Sequence, residues 1–112
     1  MRDPLRHFVS EFIGTFALVF VGSAAIMAVA QSNSPYGLLQ VALAHGLVLA
    51  IFVTALMRIS GHFNPAITLG FVAARRIDPM MAGIYIVAQL LGAVAAAYIL
   101  KGTFPDAVVL AT

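Results

Sequence analysis

Cysteine and tryptophan are both absent from the 112 residues, and only 9% of the residues carry a charge. Without cysteine there is no disulfide framework, no thiolate nucleophile and no cysteine-based metal site. The scarcity of charge, set beside a hydrophobic fraction of 62%, excludes an ordinary soluble domain, in which about a quarter of residues are charged. The net charge of +2 is dispersed along the chain, so the clustered basic face that nucleic-acid binding needs is missing as well. No nucleophile stands beside a base, and no phosphate-binding loop is present. His45 and His62, seventeen residues apart, do not make a metal site. The residues therefore point to neither an enzyme nor a bound cofactor.

What the chain does have is apolar runs. Three of them, at about 8–30, 38–57 and 80–100, have the roughly twenty residues a helix needs to cross a hydrocarbon core of about 30 Å. Arg2 and Arg6 ahead of an apolar stretch, with Ser23-Ala24-Ala25 beyond it, resemble a secretory leader. The apolar run from Phe12 to Ala30 exceeds a leader's apolar core of about 7–15 residues, however, and further spans follow. The breaker-rich stretch Gln31-Ser32-Asn33-Ser34-Pro35-Tyr36-Gly37 reads as a short loop. Arg75-Arg76-Ile77-Asp78-Pro79 reads as a turn, with Pro79 suited to open the third span. Ala42, Gly46 and Ala50, and likewise Ala88, Gly92 and Ala96, recur every fourth residue. That spacing lets membrane helices approach closely, although apolar helices are rich in alanine in any case.

Between Arg58 and Arg76 the pattern changes: a glycine, a proline and polar residues precede the apolar stretch Ala66 to Ala74. A helix from Pro65 to Ala74 would be about 15 Å long, half of what a crossing requires. The region at about 60–75 is therefore expected to enter the bilayer and return. Basic residues support this, because they accumulate on the cytoplasmic side. If the segment is re-entrant, Arg2, Arg6, Arg58, Arg75 and Arg76 share one side, and Lys101 alone lies on the other. A cytoplasmic N-terminus follows.

Non-helical backbone at membrane depth must meet protein or water. Asn64 is a favourable N-cap and Pro65 fits the next position. A capping Asn64 would accept through its side-chain oxygen from the N–H of Ala66 or Ile67, which leaves its amide hydrogens to point into a pore. The helix start adds a partial positive charge of roughly half an elementary charge, which repels cations and passes neutral solutes. Gly61 is expected to permit the turn, and the carbonyls of residues 60–63, including those of His62 and Phe63, to supply acceptors on the approach.

These features resemble the aquaporin and glycerol-facilitator family. Glu11-Phe12-Ile13-Gly14-Thr15 resembles the family's first-helix motif and Ala44-His45-Gly46 its second-helix motif. Ser60 to Thr68 resembles the first signature loop, one residue shorter before His62 than is usual, and Ala88-Gln89-Leu90-Leu91-Gly92 resembles the third helix. The resemblance implies an all-α membrane protein with three transmembrane helices and one re-entrant half-helix, a single repeat of the inverted-repeat fold. Residues 101–112 would begin the family's long central loop, which favours a longer chain. It implies passive passage of water or small neutral solutes, with Asn64, Pro65, Ala66, Gly61, His62 and Phe63 lining the path and His45 at the outer filter. Glu11 would brace the loop backbone, a proton relay being the alternative that no second acid accompanies, and Gln89, polar in an apolar helix, would hydrogen-bond the same backbone; His62 would be a loop brace ahead of a pH-sensitive gate, and His7 reads as an interfacial residue. A second Asn-Pro-Ala is absent. The implied partners are accordingly the lipid bilayer, the solute, a second repeat in the same or a separate polypeptide, and a homotetramer of complete channels in the plasma membrane. A non-conducting membrane interaction module is the alternative.

Overall fold

The computed structural model describes residues 3–112, and every regular element among them is helical. In chain order these are α1 (Pro4–Ala30), α2 (Gly37–Leu56), α3 (Pro65–Ala73), α4 (Pro79–Thr103) and α5 (Pro105–Ala111). Four of the five open on a proline, whose missing N–H costs nothing in a first turn. Asp3 caps α1 by accepting from the N–H of Leu5 at 3.0 Å. α1, α2 and α4 are long and apolar enough to cross a membrane; at 1.5 Å per residue they run about 40, 30 and 37 Å. α3 has nine residues and reaches only about 13 Å, less than half of a hydrocarbon core.

α3 stops through its backbone. Arg75 adopts a left-handed conformation with φ 57°, the N–H of Arg76 donates to the carbonyl of Phe71 at 2.8 Å, and that of Arg75 to Val72 at 3.0 Å. This is a Schellman closure, here built on an arginine where glycine is commoner. It turns the chain at once into Ile77, which packs with Met81, Ala82 and Tyr85 of α4 and holds the half-helix against that span.

α1 is the hub: it packs on α2, α4 and α5, whereas α3 touches α4. Small residues set the α1–α4 spacing. Ala88 and Ala96 are fully buried, and a Cβ on Gly92 would lie 2.6 Å from the carbonyl oxygen of Phe12. The matching row on α2 behaves otherwise, because Ala42, Gly46 and Ala50 are exposed and nothing lies within 4 Å of where a Gly46 Cβ would stand.

The first span begins at Pro4, four residues before the apolar run, because Asp3 and Pro4 together start a helix regardless of hydropathy. Residues 105–111, expected as the start of a loop, form the short helix α5. Pro105 disfavours helical geometry at Phe104, which sits at φ −132°, ψ 61°. The chain breaks there and restarts, tucking Ala107 against Met27 and Leu100.

Candidate functional site

The link between α2 and α3 is fastened mostly to α1. Ser10 donates its hydroxyl to the carbonyl of Ser60 at 2.9 Å. Glu11, fully buried, accepts the backbone N–H of His62 at 3.1 Å on Oε2 and that of Phe63 at 2.8 Å on Oε1. Gln89 of α4 adds a third donor, its Nε2 standing 2.7 Å from the same Oε1. All three contacts set an N–H donor against a carboxyl oxygen, which accepts. Successive N–H groups converging on one anion form a backbone nest, a geometry that uses a left-handed residue. That residue is Phe63, at φ 55°.

One expectation changes here. The conformational freedom of the turn, expected of Gly61, comes from Phe63; Gly61 has no positive φ, and a Cβ there would make only ordinary contacts, the nearest at 3.6 Å. Phe63, for its part, is expected to line the path by its carbonyl. Its ring is 2% exposed and lies directly over Gly14 of α1, where an added Cβ would stand 2.0 Å from it. Only the Phe63 backbone is left for the open face.

Asn64 caps α3. Its Oδ1 accepts the N–H of Ala66 at 2.8 Å, and its backbone is extended at φ −159°. Because the oxygen is committed to the cap, the amide hydrogens point elsewhere, and the residue is exposed beside Ala66 and half-buried Pro65. One turn further on, fully buried Thr68 joins Gln89 Nε2 at 3.0 Å and His62 Nδ1 at 2.9 Å. The His62 ring stacks on Phe71 and meets Tyr85 edge-on. It lines a cleft of about 350 Å³ together with Arg58 and Arg76. His7 also borders that cleft and bonds the Tyr85 hydroxyl at 2.6 Å.

His45 stands apart from this cluster. α2 has no packing contact with α3, and the His45 ring rests on Gly22 of α1, eleven residues, or about 16 Å, beyond Glu11 along the helix. Its Nδ1–H donates to the Val41 carbonyl at 2.8 Å, and its Nε2 edge is the part that faces Gly22. Among the described residues no three His, Asp or Glu side chains gather to hold a metal ion.

A family model described as Major intrinsic protein matches residues 2–112. The chain belongs to the major intrinsic protein family. It is 39% identical over 110 residues to a probable aquaporin, TIP3-2, of Arabidopsis thaliana, the match covering 88% of this chain and 41% of that protein. It is 45% identical over 104 residues to the lens fiber major intrinsic protein of Ovis aries, covering 92% and 39%. The X-ray structure of the aquaglyceroporin from Plasmodium falciparum superposes with a TM-score of 0.83 at 28% identity, over 93% of this chain and 43% of that one. The chain thus spans about two-fifths of the length of these relatives. One repeat of the family fold, three spans and a half-helix, makes this major intrinsic protein an integral, multi-pass membrane protein.

Ser10, Thr68 and Gly14 do not stand out as site residues in the sequence. Thr68 carries a usable signal, since it follows the Asn64 cap by four residues and so shares its helix face. The seating of Phe63 on Gly14 leaves no local trace.

Proposed function

We propose that this chain supplies one half of a passive transmembrane channel for water or small neutral solutes. The observation that carries the reading is Asn64: its oxygen is bound to the Ala66 N–H, which commits its amide hydrogens to the open side at a helix start of positive potential. A donor there orients a passing oxygen, and the helix end repels cations. His45 is placed at the outer filter by the family resemblance, its ring held by the Val41 carbonyl and seated on Gly22, where it narrows the passage without closing it to water and other small neutral molecules. The cluster of Arg58 and Arg76 at the end where α1 begins favours a cytoplasmic N-terminus, in the plasma membrane. The exposed apolar side chains of α2 and α3, Leu43, Leu47, Ile67 and Leu69 among them, have room for a second repeat, with complete channels assembling as a homotetramer.

Reconstituted in liposomes with a second repeat, in the same or a separate polypeptide, the chain should speed osmotic shrinkage well beyond bare lipid. Shrinkage no faster than bare lipid would instead favour a non-conducting interaction module. The variant Asn64→Asp keeps a capping oxygen but removes both amide hydrogens and adds negative charge. It should lower water flux about tenfold, the equivalent of one net hydrogen bond of about 1.4 kcal/mol in the barrier, while the thermal midpoint holds. Unaltered flux in that variant counts against a pore role for Asn64.

A further inference from the structure

We propose that a one-way chain of hydrogen bonds beginning at the Glu11 carboxylate fixes His62 as the Nε2–H tautomer. Gln89 and Thr68 are the positioning residues, and the His62 ring turns a donor toward the cleft it shares with Arg58 and Arg76. Each step is set by donor and acceptor inventory. The Glu11 carboxylate can only accept, so the Gln89 amide must turn Nε2 toward it, as the 2.7 Å contact records. The reverse orientation would set the amide oxygen against a carboxylate. Gln89 Oε1, buried with no partner, is the cost of this choice.

The same Nε2 has a second hydrogen, which reaches Thr68 Oγ1 at 3.0 Å and occupies one of its lone pairs. Thr68 is fully buried, and its hydroxyl hydrogen needs an acceptor. Among the described residues, His62 Nδ1, at 2.9 Å, is the one acceptor brought to it. Nδ1 must therefore be bare, and the ring proton sits on Nε2. Nε2 makes no hydrogen bond to the described residues, and the ring borders the cleft.

The consequence for passage rests on the channel reading above. Three of the groups bordering the cleft, the guanidinium groups of Arg58 and Arg76 and the His62 Nε2–H, are donors, so they accept a solute through its oxygen. His62 offers no lone pair to a metal or ammonium ion.

Nitrogen NMR of the [15N]histidine-labelled chain in lipid nanodiscs tests the chain of bonds directly. For His62 we expect a pyridine-like, hydrogen-bonded Nδ1 and a pyrrole-like Nε2. Thr68→Val should move the Nδ1 resonance to the position of an unbonded nitrogen, and Thr68→Ser should return it. Gln89→Met, which frees a Thr68 lone pair to accept from Nδ1–H, should raise the Nδ1–H form severalfold. A pyrrole-like Nδ1 or an imidazolium in the parent chain overturns the proposal. So does an Nδ1 resonance indifferent to Thr68→Val, or a tautomer ratio indifferent to Gln89→Met. If the Gln89 variant does not fold, the Thr68 pair decides. Water flux of the same proteins, reconstituted in liposomes with a second repeat, keeps the two readings separate. The expected nitrogen pattern without flux, second repeat present, removes the channel and leaves the tautomer; flux without the pattern does the reverse.

Discussion

Replacing Glu11 with alanine is expected to release the whole re-entrant link from α1. The substitution strands three N–H donors at once, those of His62, Phe63 and Gln89 Nε2, each now within 3.1 Å of the carboxylate. An orphaned buried donor costs about 1–3 kcal/mol, and more at membrane depth, where lipid offers no substitute. The sum is on the order of 5 kcal/mol, comparable to the entire stability of many small domains. Glu11→Gln should cost roughly half as much, because one amide oxygen can still accept but the amide NH₂ is turned toward a donor. Amide hydrogen exchange in lipid reads this locally: His62 and Phe63 should change from among the slowest amides outside the helices to fast exchange in Glu11→Ala, with an intermediate rate in Glu11→Gln. Retained protection of both amides in Glu11→Ala would show that something other than the carboxylate holds the loop.

The effect of one side chain on a loop some fifty residues away explains which features are legible in the sequence. The start of α3 is, because capping is local: Asn64 and Pro65 satisfy or dispense with N–H groups inside a single turn. The three spans are legible from their length in apolar residues. The partners of Glu11 are not, since composition and spacing say only that a carboxylate inside a span needs a partner; the bracing role comes from the family resemblance. Gly61 attracts the turn because glycine is the default carrier of positive φ. The demand actually falls on Phe63, whose N–H must swing toward the acceptor that its neighbour already binds. Which small-residue row meets a neighbour is equally hidden: Ala88-Gly92-Ala96 and Ala42-Gly46-Ala50 share a spacing, and only the bundle buries the first. α5 escapes because seven residues give too few turns for an apolar periodicity to emerge.

Substituting Gly14 should do nearly as much damage as losing Glu11, through packing alone. Two effects oppose each other in Gly14→Ala. Alanine is the better helix former by about 0.8–1.0 kcal/mol, so in an open helix the change would stabilise. Here the new Cβ would stand 2.0 Å from Phe63 Cε1 and 2.3 Å from Cδ1 and Cζ, so the ring must move by more than an ångström. Its freedom to do so is small, because the Phe63 N–H is tied to Glu11 and its backbone is already left-handed. Overpacking of this kind costs about 1–3 kcal/mol and occasionally more, and displacing the ring strains the Glu11 bonds as well. We expect a net loss of about 2–4 kcal/mol. Phe63→Ala alone should cost about 3–5 kcal/mol as a large-to-small core change. Combined, the two should cost less than their sum by about 3–5 kcal/mol, at or above the upper end of usual contact couplings, because without the ring there is nothing for the added methyl to strike and the helix propensity of alanine is recovered. Thermal midpoints of the four proteins in one lipid composition close this double-mutant cycle. Strict additivity would mean that Phe63 is not seated on Gly14, and that the left-handed turn is held by the Glu11 carboxylate alone.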